Sequence, residues 1–301
     1  MSALRTYFSF CIKFQLRALC PTSLTVCMFV EFLARTYKCD KSIKNIVSAI
    51  RLLHKRLHLD APALYDFDLQ LMLRAFKITL GGPRQKLPVT LDILYKLCIA
   101  CDSLGRLGVV LKCVFLFAFF GFLRCSNLVP DTANDFDIHR HLSRGDVFLH
   151  GAQLVIMIKW SKTLQSKERF ILLPLPSLPT HPLCPVQAFH DLLRLFPAPP
   201  NAPFFILSPS RPFRPLTAPR LRRLLAVLLH ALGLSSHLYS MHSFRKGGAS
   251  LCYNIGCDFA RIRMHGGWTS DAVFRYIFPD ISAEAVLPAQ LASHILAQQF
   301  T

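Results

Sequence analysis

The run VVLKCVFLFAFFGFL, residues 109–123, constrains the folding of this 301-residue chain more than any other stretch. A helix apolar on every side must be covered on every side, so it belongs at the centre of a domain or in a membrane. A membrane-spanning helix needs about 20 apolar residues. This run is shorter and carries Lys112 inside it. The expectation is a helix buried all round in a domain large enough to surround it. The opening MSALRTYFSFCIKFQLRALC is not expected to act as a signal peptide, because Lys13 and Arg17 interrupt its apolar region and no small-residue cleavage site follows.

Length favours two domains, each able to bury its own core. The clearest break is GGPRQKLPVT, residues 81–90, where Gly, Pro and basic residues replace periodic apolar sequence. Upstream the pattern is helical. Ile43, Ile46, Val47, Ile50 and Leu53 make one apolar face, while Lys41, Lys44, Ser48, Arg51 and Lys55 follow the same period on another. Downstream, residues 91–104 and the apolar run read as two helices. The period then shortens over residues 146–150, 153–160 and 168–174, which predicts a small antiparallel sheet whose last two strands are joined by SKTLQSK. Proline-rich loops follow, with helical patterns at 185–195, 217–232, 243–254 and 269–277. The tail from Ile281 has the composition of a helix that docks on its own domain or on a neighbour, and Pro288 predicts a break or kink in it. The fold class is therefore mainly α with a small antiparallel β-sheet (α+β), with domains expected at 1–82 and 83–301.

Charge points to a partner. There are 35 Lys and Arg against 17 Asp and Glu, a net charge of +18. Residues 1–86 hold 14 basic and 5 acidic residues, so half of the excess lies on each side of the linker. Both sides should face a polyanion, nucleic acid before an anionic membrane. On these grounds the basic stripe Lys41, Lys44, Arg51 and Lys55 is a candidate DNA-backbone surface. The 11 cysteines lack the spacing of a disulfide framework and read as reduced thiols of an intracellular protein. Cys98 and Cys101 have no second ligand pair nearby and read as core.

Four polar features interrupt this apolar background. SMHSFRKGGAS, residues 240–250, sets His242 and Arg245 on one face near a helix start, where anions are also attracted. GFLRCSNL closes the buried helix on Arg124, a guanidinium costly in apolar surroundings unless paired, with no acidic residue close in sequence. The hairpin turn WSKTLQSK places Lys162 at a tip from which an ammonium can reach a groove, ahead of Lys159 and Lys167 as candidates. HGGWTSDAVFRYI sets Trp268 eight residues before Tyr276.

In this order and context the features resemble the signature of the tyrosine recombinase (phage integrase) family: Arg, Lys, His-x-x-Arg, His or Trp, Tyr. The resemblance covers about residues 90–280. It maps the catalytic positions onto Arg124, Lys162, His242, Arg245, Trp268 and Tyr276, with His265 as the alternative to Trp268. The N-terminal region then resembles the family's helical, SAM-like core-binding domain. The wording of GFLRCSNLVP and GGWTSDAVFRYI is similar to recombinases of eukaryotic mobile elements of the DIRS, Ngaro and Crypton types. One departure stands out: Asn127 occupies the position of the acidic residue that buttresses the family's site.

The resemblance implies metal-free exchange of phosphodiesters, with no cofactor. Two arginines, a histidine and an indole N–H stabilise charge on phosphorus oxygens. The tyrosine forms a covalent 3′-phosphotyrosine, and the lysine protonates the departing 5′ oxygen. A free phenol ionises only near pH ~10, so adjacent positive charge or a base must help remove its proton. The implied partners are double-stranded DNA and other protomers of a homotetrameric synaptic complex, with no membrane. The expected function is site-specific DNA recombination or integration by a mobile-element protein acting in the nucleus. Alternatives are a domesticated DNA-binding protein that no longer cuts, or a type IB topoisomerase-like enzyme.

Overall fold

Thr22, Asp66 and Thr90 each stand just before a helix and accept a backbone N–H from its first turn, which fixes where three helices begin. A computed structural model describes residues 3–80, 85–160 and 170–297. The chain divides into two units, residues 1–85 and 86–301. The first comprises α1 (Ala3–Lys13), α2 (Ser23–Thr36), α3 (Asp40–Arg56) and α4 (Phe67–Thr79), with a 3-10 turn at Pro62–Tyr65. Its core is built on Tyr7, Phe10, Phe29, Leu33, Ile43 and Ile50. The apolar face expected on α3 is buried from Ile43 to Ile50, and Leu53 at its end is half-buried.

The second unit contains α5 (Leu91–Asp102), α6 (Gly105–Phe120), α7 (Cys125–Leu128), β1 (Val147–His150), β2 (Gln153–Ile158), β3 (Ile171–Leu175), α8 (Pro185–Leu195), α9 (Ala218–Ala231), α10 (Met241–Asn254), α11 (Phe259–His265) and α12 (Ile281–Ala297). Helix α6 is the axis of this unit. It is buried without a gap from Cys113 to Phe119 and is packed by α5, α8 and α10. Lys112 reaches out of it to Asp102 at 2.9 Å. Cys98 and Cys101 are fully buried in α5, and burial pushes the Cys98 thiol up to about 12. The strands form one antiparallel sheet in the order β1-β2-β3, with Val147 opposite Ile156 and Ile156 opposite Leu173. Pro174 is tolerated because β3 is an edge strand. The expected architecture, mainly helical with a small antiparallel sheet, is the one observed. Among the described residues no helix is long and apolar enough to cross a membrane.

Four local expectations need correction. Helix α6 ends at Phe120, not Leu123. Leu123 N–H donates to Ala118 O and Phe122 N–H to Phe119 O, closing the helix with Phe122 at φ 46°, a left-handed conformation usually left to glycine. Arg124 therefore does not end α6; it is the residue before α7. The pattern at 269–277 forms only a 3-10 turn, Asp271–Arg275, capped by Ser270. Helix α11, which was not anticipated, begins instead at Asp258, whose carboxylate accepts Arg261 N–H at 2.9 Å. Finally, α12 runs through Pro288 without a break. Proline removes one N–H from the helix, and Glu284, the residue whose carbonyl it would have served, is exposed.

Candidate active site

Helix α10 carries the centre of the site, and two glycines let it lie where it does. A Cβ on Gly247 would stand 1.8 Å from Val89 O, and one on Gly248 would stand 2.3 Å from Phe119 O. Without side chains there, α10 closes on α6, and Phe244 stacks on Phe115 at 4.9 Å. The first turn is fixed by Ser240, whose backbone N–H donates to Ser243 Oγ at 3.0 Å. This geometry turns Arg245 inward and leaves His242 at the surface.

Arg245 is 2% exposed. One terminal nitrogen donates to Phe122 O and the other to Gly266 O at 2.8 Å, while Nε is buried without a partner. The guanidinium lies 3.9 Å from the centre of the Trp268 ring and 5.1 Å from that of Tyr276. Burial, and then the nearby charge of Arg124, bring its pKa down to about 9, partly offset by the Tyr276 phenol. Among the described residues no carboxylate pairs with Arg245, so they leave its positive charge unneutralised.

Arg124 lines one cleft with Arg245, Phe122, His265, Gly266 and Gly267. Its side chain makes no hydrogen bond or ion pair with the described residues. Its backbone N–H donates to Asn127 Oδ1 at 3.1 Å, and Asn127 Nδ2 donates to Trp160 O at 3.0 Å. The amide therefore braces Arg124 and ties α7 to the end of β2. An ionised carboxylate could do the first but not the second, since it has no hydrogen to give.

His242 keeps an edge in solvent, and its ring lies 6.5 Å from that of Tyr276. Partial desolvation, then Arg245, Arg124 and Lys246, hold its imidazole below the usual histidine range. Trp268 is 6% exposed, lies 5.1 Å ring-to-ring from Tyr276, and has a buried Nε1–H with no partner. Gly266 makes its room, because a Cβ there would fall 1.8 Å from the indole. His265 is placed differently. Its Nε2–H donates to Phe120 O at 2.7 Å and its ring meets Phe122 edge-on at 4.7 Å. A carbonyl only accepts, so this bond fixes the tautomer. Trp268, not His265, touches both Arg245 and Tyr276.

Lys162 lies outside the described residues, as does Lys167. Lys159 is held by Asp146 at 2.6 Å, and the same carboxylate accepts the N–H and O–H of Ser143, so this ammonium is spent inside the fold. On α3, Lys41 and Lys55 are exposed. Lys44 pairs with Asp40 at 2.8 Å, while Arg51 donates to Leu64 O and stacks on Tyr65 at 4.9 Å. Two of the four candidate backbone contacts are thus engaged with their own unit. Among the described residues no cluster of three or more His, Cys, Asp or Glu could hold a metal ion.

No protein-family model matches the chain, and no curated protein matches its sequence. Its fold is similar to that of the Tn1549 transposon integrase in complex with circular intermediate DNA, with a TM-score of 0.59 at 14% identity over 90% of this chain and 85% of that one. It is also similar to the XerH site-specific recombinase in a post-cleavage complex with palindromic difH, with a TM-score of 0.56 at 13% identity over 91% and 70%. A lambda integrase tetramer bound to a Holliday junction gives 0.54 at 16% identity over 89% and 71%. The chain has the tyrosine recombinase fold.

Proposed function

We propose that this protein is a site-specific DNA recombinase that breaks and rejoins DNA through a covalent 3′-phosphotyrosine on Tyr276. The observation that carries the reading is the gathering of Arg124, Arg245, His242, Trp268 and Tyr276 around positive charge that no described carboxylate offsets, in a fold shared with recombinases and integrases. A scissile phosphate would supply the missing anion. Arg124 and the remaining N–H groups of Arg245 would bind its non-bridging oxygens, with the Trp268 indole N–H as a further donor. His242, whose pKa desolvation and the neighbouring basic groups lower, can hydrogen-bond the phosphate or pass a proton. The Arg245 guanidinium lies 5.1 Å from the centre of the phenol ring. Tyr276 Oη gives its proton to His242 or to water as it attacks phosphorus, the bond to the 5′ oxygen breaks, and Lys162 gives that oxygen its proton. Religation reverses each step, so no high-energy cofactor and no metal is called for.

The finer reading is a mobile-element recombinase of eukaryotic type, acting in the nucleus as a homotetramer on two duplexes. The exposed apolar residues of α12, Ile281, Val286 and Leu291, are suited to seat on a neighbouring protomer in that assembly.

A duplex recovered by binding selection and nicked beside the scissile phosphate tests the proposal. The wild-type protein should form a denaturant-resistant adduct, and Tyr276→Phe should form none while binding nearly as well. An adduct in the variant would move the nucleophile elsewhere. Binding without any adduct would favour a domesticated DNA-binding protein, and relaxation of supercoils without strand exchange a topoisomerase-like enzyme.

A further inference from the structure

The nucleophile proposed above stands on a segment with no regular structure of its own. Tyr276 caps the 3-10 turn, and residues 277–280 are irregular until α12 begins. Backbone groups in such a segment must find partners elsewhere. They find them on α10, at intervals of four residues. His242, Lys246, Ser250 and Asn254 share one face of that helix. The His242 ring lies alongside the Tyr276 ring, and Lys246 Nζ stands 4.6 Å over the ring of Phe278. Ser250 Oγ donates to Tyr276 O at 3.2 Å and accepts Phe278 N–H at 2.8 Å. Asn254 Oδ1 accepts Asp280 N–H at 3.3 Å.

A helical serine usually turns its hydroxyl back to the carbonyl one turn earlier. Ser250 instead spans two residues of another segment. It is 6% exposed, so water cannot readily take its place. Lys246 is 8% exposed and donates to Lys86 O at 2.7 Å, which anchors the ammonium under Phe278. We infer that Ser250 and Lys246 are positioning residues for Tyr276: the hydroxyl fixes the backbone on both sides of Ile277, and the ammonium fixes the ring of Phe278. The inference rests on the reading of Tyr276 as nucleophile.

Two measurements on Ser250→Ala and Ser250→Thr test it. One is amide hydrogen exchange across residues 276–280 in the free protein. The other is the rate of adduct formation on the nicked duplex, with Tyr276→Phe as the zero. Ser250→Ala should bind DNA like the wild type, exchange the Phe278 amide faster and form adduct roughly 10- to 100-fold more slowly. Ser250→Thr, which keeps the hydroxyl, should restore both. Unchanged exchange in Ser250→Ala overturns the clamp. Faster exchange with an unchanged adduct rate, or equal losses in both variants, overturns the positioning role. Should Ser250→Ala fail to fold, the same two readouts on Lys246→Met decide the matter. A wild-type protein that never forms adduct removes the recombinase reading itself, and the exchange result then describes only a structural brace.

Discussion

Two buried arginines in this molecule show how differently a guanidinium can be used. Arg245 gives its terminal nitrogens to two carbonyls and stacks on an indole, with the charge of Arg124 nearby. Arg144 is 6% exposed, lies 5.3 Å from the Phe204 ring, and has all three nitrogens buried without partners. Burial brings its pKa down to about 10. Nothing in the proposed chemistry uses it, so its desolvation is a net cost. Arg144→Met should raise stability by about 1–4 kcal/mol, read as a higher urea midpoint at unchanged slope. Arg245→Met should bring no such gain, because the Phe122 and Gly266 carbonyls would lose their donors. Sequence separates these residues only in part. His242 and Arg245 are legible as a pair at helical spacing. Ser250 is not, since a serine in a helix looks like a surface residue until the facing segment is known. Arg144, in the turn SRGD, reads as exposed for the same reason.

At the scale of elements, the contact of α10 with α6 depends on the absence of two side chains. Gly247 and Gly248 have ordinary helical backbones, so alanine there would gain about 0.5–1 kcal/mol of helix propensity. The atoms a Cβ would meet are backbone oxygens of Val89 and Phe119, which cannot swing aside. Overpacking of this kind costs about 1–3 kcal/mol, occasionally more. Gly247→Ala or Gly248→Ala should therefore destabilise the fold on balance, with a lower urea midpoint, and should displace Arg245 from Trp268. Periodicity made α3, α5, α6, α8 and α9 legible, because each presents a face or a whole surface to a core. It did not reveal α11, whose seven residues span too few turns to establish a period. The cap Asp258 and the following Gly266 were the available signal. The tail was legible as a helix, but its continuity through Pro288 was not, because a proline inside a helix ordinarily breaks or kinks it.

Across the whole molecule, three histidines respond to acid in the same direction. Desolvation comes first in holding His141, His242 and His265 below the usual histidine range. His141 Nδ1 accepts Asp137 N–H at 3.0 Å, a bond that a proton on that nitrogen would destroy. Below about pH 6.5 the unfolded chain binds protons that the folded chain refuses. Stability that rises with pH through this window is lost as pH falls. The melting temperature should drop between pH 7 and pH 5, and His265→Gln should flatten the dependence. A profile that is flat or rises on acidification would show that these rings are not desolvated.

The cysteines also serve as handles for a spectroscopist. Burial pushes the thiols of Cys98, Cys101, Cys113, Cys125 and Cys252 upward and withdraws them from alkylating reagents. Among the described residues, the two exposed thiols are Cys20 in the first unit and Cys257 in the second, beyond the end of α10. One exposed sulfur thus lies on each unit. A donor dye on one and an acceptor on the other would turn any closing of the two units on a duplex into a change of colour, without adding a single new cysteine.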